Sequence, residues 1–473
     1  MKNYSIWKDG VKIKKYDKLD KDINVDVLIV GGGMTGISTL YHLRNSGFKV
    51  ALVEQNRLGM GVTARTTGKV TYLQDRIYNE LLSNFDFEIT SKYLKSQREA
   101  IDIVLSIIKE NEISCDLEKT NSYVYTNNDS EISKLKELKK FLEKNEIKVL
   151  EENVDLVDNK YMIGVEDTYL FHPIKFLSGM LKKCSYGDIY EETSIKKIEN
   201  DKNKYICYTD DNKITATWVV IASHYPYFNL PFVFPIKGKL EKSYVSASKK
   251  DISNVSLISY YKPVVSIRSY LDYMIYLELT DNLVNNIQDG ENYKLLIDKL
   301  SKYDVSPEYV WSNIDIITND GLPYVGEISD KMYIGTGYNT WGMTNGVLAG
   351  KIISDMIFNK ENEYIELFNP KRVNVKMFSN AVMDGYYSMV GYIKGYLGVD
   401  SKIKYEDVNG KEVAIYKDKN GNHRVYTKCP HMGCRLIFNE KELTWDCPCH
   451  ASRFDIDGKV VSGPSNYNIS VEK

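Results

Sequence analysis

The spacing of apolar positions changes several times along the chain, and each change marks a different kind of element. Val25-Asp-Val-Leu-Ile-Val30 is a short, nearly continuous apolar run of strand type. Glycines follow it, then a helical stretch over 37–45 that stops near Gly47, then a second strand, Lys49-Val-Ala-Leu-Val-Glu54, ending in an acid. Residues 75–113 and 129–146 repeat at helical spacing among many charges, predicting solvated helices, with a strand over 122–126 between them. His172-Pro173 opens another helical stretch, where the histidine reads as a turn residue. A buried strand is predicted over 215–222. From residue 235 to about 318 the pattern alternates, and 240–247, 255–261, 264–270 and 273–279 suit an antiparallel sheet. A glycine-rich turn over 335–346 opens a helix running to about residue 358, and 369–400 predicts a linker containing a helix. A hairpin over 404–416 then begins a small all-β module.

At 473 residues the chain exceeds one ordinary core, so two to four structural units are expected. A hydrophobic content of 43% and a formal charge of −2 give no electrostatic case for nucleic acid or an anionic membrane surface. Residues 1–25 are rich in Lys and Asp, and no run of about twenty apolar residues occurs. No signal peptide or transmembrane segment is therefore expected, and the predicted location is cytoplasmic. Cys115, Cys184 and Cys207 sit singly in ordinary segments and read as inert thiols.

The strand, Gly31-Gly-Gly33-Met34-Thr35-Gly36, helix, strand and terminal Glu54 stand in the order a dinucleotide site requires. Gly31 allows the tight turn, Gly33 admits the pyrophosphate to the backbone, and Gly36 lets the helix pack on the strand. The helix start offers N–H groups to phosphates, and Glu54 is placed to accept hydrogen bonds from ribose hydroxyls. These residues alone leave FAD and NAD both open.

Three further segments decide between them. They are the Gly- and Thr-rich loop with Thr63, Arg65 and Thr66, the strand end before His224, and Asp320-Gly-Leu-Pro-Tyr-Val-Gly326. With the turn containing Gly335, Gly337, Gly342, Met343 and Thr344, they resemble the FAD-dependent D-amino-acid-oxidase-like superfamily, which includes glycine and sarcosine oxidases. The resemblance spans about 24–365. It implies FAD held by these residues, with the helix after Gly342 pointing toward the flavin pyrimidine ring. It also implies a substrate pocket under the antiparallel sheet. Arg268, on that sheet, is the candidate contact for a substrate carboxylate, because a guanidinium binds carboxylate bidentately. His224 is a candidate polar contact near the flavin. No second strand–GxGxxG–helix unit follows residue 54, which argues against a reductase driven by NAD(P)H.

Near the C-terminus stand Cys429-Pro-His431 and, fifteen residues later, Cys447-Pro-Cys-His450. Two Cys–His pairs suit a 2Fe–2S centre with thiolates on one iron and imidazoles on the other. The same four side chains could also bind zinc tetrahedrally. The flanking residues, through Cys434, Cys449, Ser452 and Phe454, resemble the Rieske domains of cytochrome bc-type complexes and their soluble relatives. The resemblance implies one Rieske 2Fe–2S cluster on Cys429, His431, Cys447 and His450, and a disulfide between Cys434 and Cys449. It also departs from the high-potential pattern: Phe454 stands where those members have tyrosine, and Pro430 and Ala451 replace the usual Thr and Gly. A moderate potential is expected, since hydrogen bonds to the sulfurs help to set it.

The expected fold is therefore an α/β FAD-binding Rossmann-like domain with an antiparallel-sheet substrate domain, plus a small all-β Rieske domain. Its expected limits are an extension over 1–24, the oxidoreductase over 25–365, a helical linker over 366–400 and the Rieske domain over 401–473. Within the oxidoreductase, 25–75, 150–235 and 315–365 are assigned to FAD binding, and 76–149 and 236–314 to the substrate domain. The expected activity is oxidation of a small amine or amino acid, with electrons passed singly through the cluster to a protein or quinone. Reversed flow from cluster to flavin, or a non-catalytic carrier or sensor, remain as alternatives. A Rieske oxygenase would need a further mononuclear iron on two histidines and a carboxylate. The remaining histidines, 42, 172, 224 and 423, are too scattered to suggest one.

Overall fold

The computed structural model describes residues 1–225, 238–252, 254–280, 289–372, 402–450 and 452–471. Most of the predicted linker (373–400), the start of the alternating region (235–237) and Ala451 lie outside the described residues.

Val27, Leu28, Ile29 and Val30 are all buried, as a strand covered on both faces must be. Their strand, Ile23–Val30, lies between Lys213–Ile221 and Val50–Val53 and runs parallel to both. Asp188–Tyr190 and Met332–Thr336 extend the parallel set at its two ends, and Tyr324–Ser329 closes one edge antiparallel. The helix after the first strand is Met34–His42, three residues earlier at each end than predicted. Gly33 caps it in extended geometry, so the helix begins at once, and it unwinds before the left-handed Gly47.

Helix Gly342–Ile357 packs across Met34–His42 at unusually close range. A Cβ on Gly350 would lie 2.4 Å from Ser38 Oγ, and one on Gly346 would lie 3.1 Å from Met34 Cγ. The two helices thus start side by side at the same end of the sheet. Helix Phe87–Glu110 flanks them as an amphipathic element, capped by Asp86, whose carboxylate accepts from Ile89 N at 2.8 Å.

The second sheet has nine strands, led by the long antiparallel trio Pro307–Thr318, Gly238–Lys249 and Tyr273–Thr280. Val264–Tyr270 and Ser256–Ser259 follow, and the latter pairs parallel with Glu118–Thr126. Tyr161–Leu170 and Lys69–Val70 also join this sheet, although both fall in segments assigned from sequence to FAD binding. The N-terminal residues pack onto the body: Trp7 is fully buried and donates Nε1–H to Thr66 O at 2.6 Å.

The C-terminal body consists of a three-stranded sheet over Lys404–Val408, Lys411–Asp418 and Gly421–Tyr426, and a four-stranded sheet beginning at Ile437–Asn439. Its core includes Leu436, Phe438, Trp445, Phe454, Val460 and Ile469. No helix among the described residues is long and apolar enough to cross a membrane.

Candidate functional site: a dinucleotide groove beside a cysteine–histidine cluster

A groove of about 410 Å³ opens where the two helix starts meet the ends of the parallel strands. Gly31 sits at φ +113°, and a Cβ there would lie 2.8 Å from the Ala222 carbonyl. Gly36 is tighter still, since its Cβ would fall 1.9 Å from Gly31 O. On Gly33 a Cβ would meet nothing closer than Thr63 Oγ1 at 3.4 Å, so the backbone on that side stays open to a ligand. Thr63 Oγ1 accepts from Met34 N at 3.2 Å, and the Thr35 hydroxyl bonds the Tyr338 hydroxyl at 2.6 Å. The Glu54 carboxylate accepts from Gly32 N at 2.8 Å and Asn56 N at 2.9 Å, while burial raises its pKa.

Of the expected cofactor residues, Gly31, Gly33, Met34, Thr35, Glu54, Thr63, Arg65, Gly335, Gly342 and Met343 line this groove. Gly36, Thr66, Gly337 and Thr344 do not. Gly36 is enclosed between helix and strand, and the Thr66 carbonyl is taken by Trp7. Gly337 makes the turn at φ +71°, and the Thr344 hydroxyl donates to Gln97 Oε1 at 2.8 Å. Sequence reasoning missed Tyr338, Asn56 and the fully buried Glu191. Glu191 accepts from Leu58 N at 2.8 Å and Tyr16 N at 3.0 Å and pairs with Arg57 at 2.6 Å, bracing the loop after Glu54. No motif signals it, because its partners come from two separate segments, at Tyr16 and at Arg57–Leu58.

Arg268 is placed among backbone carbonyls and not in a cavity lining. It is 1% exposed, and its Nη1 donates to Thr67 O and Gly68 O at 2.8 Å and to Phe171 O at 3.2 Å. Its Nε donates to Ser269 O at 2.8 Å. The guanidinium is engaged by carbonyls of the Thr-rich loop and is absent from the lining of the cavity beneath the sheet. That cavity, about 80 Å³, is bounded by Trp341, Gly342 and Met343 on the groove side. Its polar lining includes Arg65, Lys69, Asn313 and Asp315. Burial pushes the Asp315 carboxyl up to about 7, although Asn313 Nδ2 donates to it at 2.8 Å. Burial also holds the Lys69 amine well below its usual range, and Lys69 Nζ donates to Leu257 O at 2.7 Å. A more polar chamber of about 700 Å³ adjoins at Asp75, Leu279, Thr340 and Trp341.

In the C-terminal body, two loops present the four candidate ligands. Cys429 N donates to Cys434 O at 2.9 Å, and Cys447 N donates to Ser452 O at 2.7 Å, so each loop closes on itself. Cys434 and Cys449 form a disulfide that joins the loops. Their sulfurs lie within 4.8 Å of Cys447 Sγ, but a disulfide sulfur is no thiolate ligand. Cys429 and Cys447 are free, buried and in contact; a hydrogen bond from the Cys447 thiol draws the Cys429 pKa down to about 7. The His431 and His450 rings stand 4.9 Å apart at 88°, and both Nδ1 atoms are buried without a partner among the described residues. Burial lowers both imidazoles, His450 to about 4 with the help of His431, so both are neutral and able to coordinate. Two buried thiols in contact and two neighbouring imidazoles, carried on the same pair of loops, are the ligand types that a 2Fe–2S cluster with mixed ligation needs.

His450 also lines a small cavity, about 30 Å³, together with Gly61, Val62, Arg65, His224 and Tyr225. Those five residues line the dinucleotide groove as well. His224 is half-buried, and desolvation lowers it to about 4. Its Nε2 lies 2.9 Å from Ile314 O, which can only accept, so Nε2 carries the proton. Cys115, Cys184 and Cys207 are buried with thiols pushed up to about 12, consistent with inert side chains.

Residues 26–356 match the FAD dependent oxidoreductase family, and residues 396–471 match the Rieske [2Fe-2S] domain. The chain is 30% identical to the Rieske 2Fe-2S iron-sulfur protein YhfW of Bacillus subtilis (strain 168), covering 97% of this chain and 95% of that one. It is 25% identical to gamma-glutamylputrescine oxidoreductase of Escherichia coli (strain K12), over 73% of this chain and 86% of that one. The crystal structure of glycine oxidase from Geobacillus kaustophilus superposes with a TM-score of 0.59 at 16% identity, covering 74% of this chain and 99% of that one.

Proposed function

Because this chain belongs to the FAD dependent oxidoreductase family and carries a Rieske [2Fe-2S] domain, we propose that it is a dehydrogenase for a small amine or amino acid. The bond oxidised is CH–NH or CH–NH2, and the electrons leave singly through the cluster domain to an external acceptor, a protein or a quinone. The working compartment is the cytoplasm. The relatives support the substrate class: one is named for oxidising gamma-glutamylputrescine, and a fold neighbour for oxidising glycine.

The observation that carries the reading is the shared wall of Arg65 and His224, which face the groove on one side and His450 on the other. FAD, when bound, supplies two-electron hydride acceptance, and the cluster supplies one-electron transfer. Gly31, Gly33, Thr63 and Glu54 would hold the dinucleotide; Cys429, His431, Cys447 and His450 would hold the cluster. The small cavity beside Gly342 and Met343 takes the reacting amine. Asp315 orients that amine through its N–H and, with a pKa near neutrality, removes the proton from an ammonium. His224 stays neutral and keeps its ring fixed by the Ile314 carbonyl, so no titration disturbs the wall between the two sites. Arg268, instead of touching substrate, holds the 67–68 backbone that borders the cavity.

Anaerobic mixing with candidate amines, followed at the flavin and cluster absorption bands together, tests this. Both bands should bleach, with the cluster following the flavin. If an amine bleaches the flavin while the cluster stays oxidised, the internal relay is wrong. If no amine, amino acid or hydroxy acid bleaches it but a reduced protein partner does, the dehydrogenase reading is wrong.

A further inference from the structure

We propose that the cluster domain is itself part of the dinucleotide site: residues 459–463 form the outer wall of the groove, so FAD is held between two domains and leaves slowly while they are docked. The proposal rests on that groove being the FAD site and makes no assumption about substrate or electron flow. Gly31, Gly33, Glu54 and Asn56 line the groove from the oxidoreductase domain, and Lys459, Val461 and Gly463 line it from the cluster domain.

Strand alternation explains how the outer wall arises. Val460 is 6% exposed and packs with Trp445 and Phe454 in the cluster-domain core. The next residue along a strand points the opposite way, so Val461 is turned out of that core, and it lines the groove. The Val461 carbonyl accepts from Asn56 Nδ2 at 3.5 Å. Asn56 N in turn donates to Glu54, the carboxylate placed for the ribose. One residue thus joins the adenosine side of the groove to the cluster domain. A second tether lies nearby, where Asn466 Nδ2 donates to Ile195 O at 3.3 Å. Lys459, exposed at the rim, and Asp455, whose carboxylate accepts from Lys459 N at 2.8 Å, bring one charge of each sign to this wall. A further contact holds the domain beside the small cavity, where Arg453 donates to Ser312 Oγ at 3.0 Å and Glu442, paired with Arg453 at 2.8 Å, accepts from the Tyr293 hydroxyl at 2.8 Å.

The test uses the full-length holoprotein, without substrate, and two variants. Val461→Trp fills the groove from its outer wall. Glu442→Gln weakens the docking contact by removing a charge at a residue that does not itself line the groove; its neighbour in the groove wall, Arg65, lies 3.9 Å away. FAD retained per chain after gel filtration and the rate of flavin fluorescence release on dilution are the readouts; the EPR signal of the dithionite-reduced cluster reports an intact cluster domain. With that signal retained, Val461→Trp should hold about a tenth of the wild-type FAD, and Glu442→Gln should release it about tenfold faster. Wild-type retention and release in both variants would overturn the proposal, as would FAD loss only in proportion to cluster loss. If Val461→Trp loses its cluster, Glu442→Gln alone decides. If the wild type oxidises no amine yet both variants lose FAD, the composite site stands and the dehydrogenase reading fails.

Discussion

Replacing Arg268 with methionine separates a structural arginine from a substrate-binding one. Methionine retains much of the buried stem and removes all four donated hydrogen bonds, leaving the carbonyls of Thr67, Gly68, Phe171 and Ser269 to find other partners. A buried acceptor left unpaired costs about 1–3 kcal/mol, and a bond to a charged donor contributes about 1.5–3 kcal/mol. Part of this is offset, because burying the guanidinium is itself costly: burial pulls its pKa down to about 9. No carboxylate pairs with it among the described residues, so removal strands no counter-ion. A net loss of about 2–4 kcal/mol is expected, and it should appear as a lower urea midpoint and faster proteolysis near 67–68. In the surviving folded fraction, KM for the amine should change less than threefold, since the guanidinium lies outside the cavity lining. The opposite pattern would refute the reasoning. Unchanged stability with a hundredfold rise in KM, about 2.8 kcal/mol of lost binding, would return Arg268 to the substrate.

Gly36→Ala places a methyl 1.9 Å from Gly31 O, and the purified protein should carry little or no flavin by its absorbance ratio. Asp315→Asn should slow flavin reduction by about 10²–10⁴ and abolish the wild-type rise in rate as pH increases through about 7, read by stopped flow. The stability consequence has a definite sign: a carboxyl whose folded pKa is raised loses stability as pH climbs from the ordinary carboxylate range toward 7. The asparagine variant should therefore gain in melting temperature relative to wild type across that window. His431→Cys should lower the cluster potential by about 100 mV or more, measured by EPR-monitored titration, because thiolate replaces imidazole. If it left electron delivery to acceptors unchanged, the relay would be wrong. Ser452 bonds Cys429 through its side chain, and its Oγ accepts from Ser465 N at 3.1 Å. Ser452→Ala removes about 1.5–3 kcal/mol of hydrogen bonding to sulfur, which converts to a drop of roughly 60–130 mV in a one-electron potential.

What could be read in the sequence was whatever chemistry is packed into a few consecutive residues. Gly31, Gly33, Gly36 and Glu54 belong to one strand–turn–helix–strand unit whose geometry is local, and the Cys–His pairs sit two and three residues apart on two loops. The strands also announced themselves as apolar runs, although Ser256–Ser259 and Val264–Tyr270 are buried throughout and not on alternate positions. Roles assembled from distant segments were not legible. Arg268 carries a side chain suited to carboxylates, and only the fold brings it against Thr67 and Phe171. Asp315 and Lys69 share a cavity because strands from opposite ends of the oxidoreductase region share a sheet. Tyr161–Leu170 joins that same sheet although its order along the chain suggested the other one. The outer groove wall, residues 459–463, bears no motif at all, since what it contributes is a position and not a reactive group.

The seam between the two bodies is charged where an apolar one would be more stable, and this bears on how the cluster is held. Arg453, 1% exposed, bonds Glu442 at 2.8 Å and Asp446 at 3.0 Å; Lys242 lies 3.5 Å from Asp446, and Arg65 lies 3.9 Å from Glu442. Tyr293 donates to Glu442 at 2.8 Å, and Ser312 donates to it as well. Burial alone would raise the Glu442 carboxyl, but Arg453, Lys242 and Arg65 outweigh it and hold the carboxyl at about 2. A depressed carboxyl contributes stability above its unfolded pKa and loses it only as pH falls toward the folded value, so the pairing persists throughout the neutral range. Desolvating such groups is costly, and apolar side chains of similar volume often stabilise an interface more. An apolar seam, however, tolerates sliding and rotation, whereas here any other orientation would separate Lys242 from Asp446 and Arg65 from Glu442. The arrangement therefore favours one fixed pose of the cluster domain over a swinging one. That is the pose in which His450 and the flavin groove share the Arg65–His224 wall, and a fixed separation suits electron transfer better than a tighter but looser-fitting contact.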